Sequence, residues 1–498
     1  MLKPKVFIIR TVFLLCLGLP LTAFPKDFTG DWYGAVETDN QQNRYALHIE
    51  KDAKGNLALF YDDLIGGETH QPLTGTITRK RRKLVVEDPA LHITVELKLD
   101  AKGDSITGTE TIQGKTYPLQ LQRGLNYTLP RVDKEGNAVT QYNYQAPATL
   151  SDGWPVGDIR NQKVDLDLLV KGVGNILQGK IPGLHSLLVI QHGTLLLEEY
   201  FRGYGPQDPN PQYSATKSVF SIVYGIAQDQ GLIDIHQKVA DLYPETRKDP
   251  KWDPAKNAIT VGDLLSMTSG LDCDDIAVGS ATPCYSGMAQ SQDWISFCLS
   301  LPLLHSPGTH WTYNGTSLTL LANYLVQKSG MGLQDFSQKF LFQPLGIASS
   351  QWILGPHGAP LVNSGLWLKP RDMAKLGLMY LNKGKWEGKQ VVSEKWVKDS
   401  TTVHCPRSQA FGHEYGYLWH VQTMDLKGRD TQVFYANGYG GQEIYVVPDV
   451  DLVCVMTAGT DDYTIYGRES TLLEETILSA FYPGPVVARP TVDIPPPP

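Results

Sequence analysis

The sequence predicts an α/β fold: a large domain with a mainly antiparallel sheet, flanked by helices and carrying a helical subdomain, preceded by a small all-β barrel-like domain. Two observations carry this expectation. Short apolar runs that alternate with polar residues, each leading into a turn, fill the chain from residue 26 to about 124. In the remainder, strand-like runs stand at both ends, and a helix-rich stretch from Ser214 to about Tyr380 is inserted between them. A sheet assembled from the two ends of the segment follows from that order.

Lys3, Lys5 and Arg10, the apolar run Val12 to Leu19 and the small-residue site Leu21-Thr22-Ala23 read as a signal peptide over residues 1–23. The expected mature protein is periplasmic or secreted, with no stable membrane span after cleavage. In the all-β domain, residues 26–124, Tyr45, Leu47 and Ile49 alternate, as do Ile93, Val95, Leu97 and Leu99. Both runs end in the same turn sequence, Asp52-Ala53-Lys54-Gly55 and Asp100-Ala101-Lys102-Gly103. With Leu57 to Tyr61 and Tyr117 to Leu121 they form a meander expected to close into a small barrel. The basic run Arg79-Lys80-Arg81-Arg82-Lys83 reads as a solvated hairpin turn rather than a binding patch.

Residues 125–165, with Pro130, Pro147 and Pro155 and no sustained period, read as a linker. The large domain, residues 166–482, opens with a hairpin, His185 to Ile190 and Leu195 to Phe201, turning at His192-Gly193. Thr260 to Gly270 reads as a helix without chemistry. Strand-like Tyr415 to Gln422, Glu443 to Val447 and Leu452 to Thr457, then a helical Ser470 to Ala480, close the domain. Residues 483–498 end in four prolines and should form an extended tail.

The net charge of −8 argues against a nucleic-acid partner. Cysteines 273, 284, 298, 405 and 454 follow the leader. Cys273 and Cys284 flank one loop and can pair in an oxidising compartment, whereas Cys454 sits in an apolar run and reads as packing. No cysteine or histidine spacing suggests a metal site, and no cofactor is expected.

The chemistry is concentrated at Ser214-Ala215-Thr216-Lys217, which opens the apolar run Val219 to Ala227. On a helix, residues three apart share a face, so the lysine amine lies against the serine hydroxyl. A desolvated lysine can take the serine proton, and the helix N-terminus favours developing negative charge. Pro307 to Gly315 delivers Tyr313 to the start of a further apolar helix, where a phenol near a lysine can relay a proton. Ala436-Asn437-Gly438-Tyr439-Gly440-Gly441-Gln442 is a glycine-rich approach to a strand, whose edge can offer a backbone N–H to an oxyanion.

In this order, the stretches resemble the class C β-lactamase-like serine hydrolases: penicillin-binding DD-peptidases, family VIII esterases and 6-aminohexanoate-dimer hydrolases. The resemblance runs from about Leu184 to Tyr482. It takes in Leu264 to Leu271, Gln343 to Ile347 and Arg371 to Gly377 as well as the three stretches above. It implies Ser214 as the acylated nucleophile, with Lys217 and Tyr313 as its catalytic partners, either of which can be the base because coupled groups titrate together. It implies the backbone N–H groups of Ser214 and Tyr439 as the oxyanion hole, and Asn314, Asn437, Gly438 and Gly440 at the substrate.

Two positions depart from the lactamase pattern. Gly315 stands where an asparagine is usual, and Ala436-Asn437-Gly438 stands where that group has Lys-Thr-Gly. Without that lysine and threonine a penicillin carboxylate loses its holders, so the expected substrate is a small ester, amide or peptide-like molecule. A β-lactamase or a peptidase of peptidoglycan or D-amino-acid substrates is the alternative of the same class. A non-catalytic binding scaffold is the alternative of another class.

Overall fold

The computed structural model describes residues 27–38, 42–65, 70–89, 92–112, 114–124, 129–131, 137–275, 284–348, 350–405, 414–459, 471–482 and 484. The leader expected over 1–23 lies outside them, as does the tail expected over 483–498 apart from Gly484.

The all-β region consists of β1 (Gly30–Glu37), β2 (Gln42–Lys51), β3 (Leu57–Asp63), β4 (Gln71–Pro72), β5 (Thr76–Lys80), β6 (Lys83–Asp88), β7 (Ile93–Leu99), β8 (Ser105–Ile112) and β9 (Lys115–Arg123). Their spatial order is β4-β3-β2-β1-β9-β8-β7-β6-β5, with every pairing antiparallel. The two edge strands are separated only by Leu73-Thr74-Gly75. One stretch of chain therefore pairs with β3 through its first half and with β6 through its second, and closes the meander into a barrel. Gly75 sits at the changeover, where a Cβ would lie 2.2 Å from the Glu87 carbonyl oxygen. Inward-facing Leu47, Leu59, Leu97 and Leu121 form the barrel core with Trp32 and Phe28. Arg123 closes one end, its guanidinium 4.0 Å from the Trp32 ring centroid and bonded to the carbonyls of Asp27, Thr29 and Gly103. The basic run forms the β5–β6 hairpin turn as expected, with Arg81 at φ 52° and its side chains exposed.

The large domain contains α1 (Leu166–Leu177), β10 (Leu184–Gln191), β11 (Thr194–Tyr200), α2 (Ala215–Asp229), α3 (Leu318–Ser329), α4 (Pro370–Leu381), β12 (Glu414–Tyr415), β13 (His420–Leu426), β14 (Arg429–Gly438), β15 (Gln442–Val447) and β16 (Leu452–Ala458). Its sheet runs β11-β10-β16-β15-β14-β13-β12. The opening hairpin thus joins the closing strands, with Leu187 opposite Met456. All eight residues of β10 are buried, because the sheet is covered on both faces. On one face α2 and α4 pack against Leu188, Ala436, Ile444 and Val455; on the other α1 and the C-terminal helical turns pack against Leu187, Tyr435, Tyr445 and fully buried Cys454. The proline-rich stretch before the domain lies packed on that second face. Tyr142 and Tyr144 are buried there, and the Tyr144 hydroxyl donates to the Leu196 carbonyl at 2.9 Å.

Two sequence expectations change. The helix begun at Thr260 spans only Val261–Leu265, well short of Gly270. Ser266 turns its hydroxyl back to the Gly262 carbonyl and Met267 adopts φ 61°, which no helix continues through. The strand expected over Tyr415 to Gln422 is broken after Tyr415, where Leu418 takes φ 64°. The cause is α2: Ser221 and Ser218 donate to the carbonyls of Tyr417 and Leu418 at 2.7 and 2.6 Å, drawing the chain off the sheet.

Arg371 ties the layers together. It is 3% exposed and forms paired hydrogen bonds to Glu198 of β11, at 2.6 and 2.5 Å, and to Asp152, at 3.1 and 2.9 Å. Replacing it by methionine leaves the Glu198 carboxylate buried without its counter-charge, a change that costs about 3–5 kcal/mol. Urea unfolding of Arg371→Met should show a midpoint lowered accordingly; an unchanged midpoint would mean that another group neutralises Glu198.

Candidate active site

Helix α2 is buried along one continuous run, Ala215 to Ala227, so its first turn is fixed from all sides. Ser214 precedes it at φ −65°, ψ −18°, and its hydroxyl caps no backbone N–H, which leaves the oxygen available for other contacts. The residue before it, Tyr213, is held at φ 43°, a conformation that costs a bulky side chain of order 1–3 kcal/mol. The turn is held by the neighbouring strand at Leu366–Leu368: the Gln212 N–H donates to the Leu366 carbonyl at 2.7 Å, and the Leu366 N–H to Thr216 Oγ1 at 3.2 Å.

Lys217 is 3% exposed, and its Nζ lies 3.0 Å from Ser214 Oγ and 2.8 Å from the Asn363 carbonyl oxygen. Nζ also sits 4.6 Å from the centroid of the buried Tyr313 ring. The structure therefore brings together the three residues singled out as catalytic.

A fourth group, Asp275, was not visible as part of this cluster in the sequence. Its Oδ1 accepts from Thr316 Oγ1 at 2.6 Å and its Oδ2 from the Thr316 N–H at 3.1 Å. Burial pushes its carboxyl above the ordinary aspartate value, against the pull of the Lys217 charge and the Thr316 hydrogen bonds. Gly315 makes this possible. A Cβ there would lie 2.2 Å from Lys217 Cε and 3.0 Å from Asp275 Oδ2, so the space denied to a side chain at 315 is taken by the lysine and the aspartate. The Cys273–Cys284 disulfide flanks Asp275, with a Cα–Cα distance of 5.2 Å. Together with Asp275 these sulfurs form a cluster of potential metal donors, but both cysteines are consumed by the bond.

The glycine-rich end of β14 reaches the same place. A Cβ on Gly438 would stand 2.2 Å from the Gln212 carbonyl oxygen and 3.1 Å from the Ala215 nitrogen, so strand end and nucleophile turn are in backbone contact. Tyr439 follows, 40% exposed, its ring edge-on to that of Tyr213 at 5.6 Å. Gly440 and Gly441 turn the chain at φ 81° and 94°. Asn437 is a correction. It pairs with Glu443 across the ladder and its amide donates to that carboxylate at 3.0 Å. It shares the face of Tyr435, whereas Ala436 faces α2, so its side chain points away from Ser214. Asn314 is held at one end only, its Oδ1 accepting from the Ser317 N–H at 3.0 Å at the entrance to α3 while its buried Nδ2 has no partner among the described residues.

The barrel is docked beside this site. Arg44 of β2 pairs with Asp208 and donates to the Gly203 carbonyl, and Leu64 packs with Tyr204. The charge of Asp63, at the end of β3, adds to burial in pushing the Tyr213 phenol up to about 12.

A family model described as Beta-lactamase matches residues 146–470. The 6-aminohexanoate-dimer hydrolase of Paenarthrobacter ureafaciens is 24% identical over 313 residues, covering 60% of this chain and 79% of that protein. Among solved structures, the hydrolase EstCE1, described as having promiscuous acyltransferase activity, aligns with a TM-score of 0.52 at 16% identity, covering 63% of this chain and 99% of that one. A family VIII carboxylesterase aligns with a TM-score of 0.50 at 19% identity, covering 63% and 96%.

The contact at Gly438 is open to test. Gly438→Ala should slow fluorophosphonate labelling of Ser214 by about 100-fold, because a displacement near 1 Å at a reacting group costs that much. Mass spectrometry of the labelled chain reads the rate, and circular dichroism checks the fold. Labelling at the wild-type rate would mean that the strand end and the nucleophile turn need not touch.

Proposed function

The chain belongs to the beta-lactamase family of serine hydrolases, and on that premise we propose that it is an exported enzyme that cleaves a carboxylic ester or amide through an acyl-enzyme on Ser214. The observation that carries this is the 3.0 Å contact between Lys217 Nζ and Ser214 Oγ, in a buried cluster with Tyr313 and Asp275.

The steps follow from that contact. With its amine neutral, Lys217 accepts the Ser214 proton as Oγ attacks the substrate carbonyl carbon. The carbonyl oxygen becomes an oxyanion, which the N–H groups of Ser214 and Tyr439 receive at the meeting of α2 and β14. Collapse expels the alcohol or amine, which takes a proton from the Lys217–Tyr313 pair. Water then enters, gives its proton to the same pair and releases the acid, restoring the Ser214 hydroxyl. The Lys217 amine lies over the Tyr313 ring, so the travelling proton stays between these two side chains.

The preference for ester or amide over β-lactam rests on β14. Ala436 is fully buried toward α2, and Asn437 is turned to Glu443 on the opposite face, so neither offers a cation or hydroxyl to a lactam carboxylate. The names of a dimer hydrolase and a carboxylesterase among the similar proteins favour the same side of the family. Export rests on the basic and apolar leader over residues 1–23 and agrees with the disulfide.

Intact-mass measurement after fluorophosphonate treatment should show one adduct, absent in Ser214→Ala. That variant should lose p-nitrophenyl butyrate turnover by a factor of about 10⁴ or more. Nitrocefin turnover should be slow beside ester turnover, and cell fractionation should place the mature chain, beginning after Ala23, outside the cytoplasm. Undiminished turnover in Ser214→Ala would end the acyl-enzyme reading, and rapid nitrocefin turnover would move the protein to the lactamase side.

A further inference from the structure

The barrel encloses a space that the hydrolytic site does not use. A cavity of about 230 Å³ lies within it, walled by Leu47, Leu59, Val95, Leu119 and Leu121. A closed barrel of about eight strands has an interior just wide enough for one small ligand.

One residue breaks the pattern of the wall. On β8 the inward row is Ile106, Gly108, Glu110 and Ile112, so the alternation that buries Ile106 places a carboxylate where an apolar side chain belongs. Glu110 lines the cavity and is 8% exposed. Tyr45 of β2 engages the carboxylate, but Oε2 is buried without a hydrogen-bond partner. Asp63, opposite Tyr45 in the β2–β3 ladder, lines the same cavity. Burial raises the Glu110 carboxyl to about 7, and the Tyr45 phenol is pushed up by burial together with the charges of Glu110 and Asp63. An unpartnered carboxylate oxygen in an apolar interior is a cost that folded chains avoid, and a ligand donor removes it.

We propose that the barrel binds a small amphiphilic amine, its apolar chain filling the cavity and its ammonium held by Glu110 and Asp63. The sign of the site selects this class. A fatty acid would bring a third carboxylate to the two already present, and an alcohol would supply one hydrogen bond without neutralising either charge. The site stands independently of the reaction at Ser214.

The test is calorimetric titration of the full mature chain with n-hexylamine, 1-hexanol and hexanoate in separate runs near pH 8, repeated on Glu110→Gln. Hexylamine should bind at least ten-fold more tightly than hexanol, hexanoate should not bind, and Glu110→Gln should lose the preference for the amine. Far-ultraviolet circular dichroism and tryptophan fluorescence of Trp32, in the barrel core, confirm that the variant is folded. No binding of hexylamine, tighter binding of hexanoate, or an amine affinity that Glu110→Gln leaves unchanged would overturn the proposal. If Glu110→Gln does not fold, Leu119→Trp fills the cavity from another strand and should abolish hexylamine binding; binding that survives it would equally overturn the proposal.

Discussion

The large domain depends on the backbone contact between the end of one strand and the first turn of one helix. Gly438 lies against Gln212 and Ala215 with no room for a methyl group. That contact requires β14 to be held in a rigid sheet and α2 to be held from every side. The first condition is met by the hairpin β10–β11, which joins the closing strands through β16 and keeps the sheet continuous. The second is met by the serines of α2, which draw the Tyr417–Leu418 segment onto the helix, and by α4, which covers the sheet beside it. Even the strained Tyr213 backbone fits this scheme, since a left-handed turn before the helix is what presents the Ser214 hydroxyl outward rather than to a capping bond.

Much of this was legible in the sequence because the informative spacings are local. A serine and a lysine one helical turn apart meet whatever the rest of the fold does, and alternation over β2, β7 and β9 specifies a barrel wall. What was not legible depends on parity or on distant chain. Asn437 looked like a substrate contact because it occupies a motif position, yet in a strand a shift of one residue moves a side chain to the other face. The burial of Ala436 toward α2 fixes which face it takes. Asp275 lies in a loop far from Lys217 in sequence, and the Thr316 hydrogen bonds and the missing side chain at Gly315 bring it to the lysine. The short helix after Thr260 failed for a different reason: the hydroxyl of Ser266 competes for a helical carbonyl that pattern alone assigns to the next turn.

The barrel is more than a neighbour. One end of its β2–β3 ladder is fastened to the large domain by Arg44 and Leu64, and Asp63 at that end acts in two places: it lines the barrel cavity and its charge acts on Tyr213, the residue before the nucleophile. The stretch over residues 71–80 that closes the barrel also pairs with β3, and so holds that shared aspartate in place. The fastening thus puts the interior of one domain and the rim of the other within electrostatic reach of a single side chain.

The Cys273–Cys284 bond has a practical consequence for anyone making this protein. Asp275 stands two residues from one of its sulfurs and packs with Lys217 against Gly315. A chain produced in a reducing cytosol would lack this tie beside the aspartate. Such material would lack a link that typically contributes about 2–4 kcal/mol, so purity alone would be a poor guide to competence. Titration of free thiols, where the oxidised chain should show Cys298, Cys405 and Cys454 among the described residues but neither Cys273 nor Cys284, is the better criterion for a preparation.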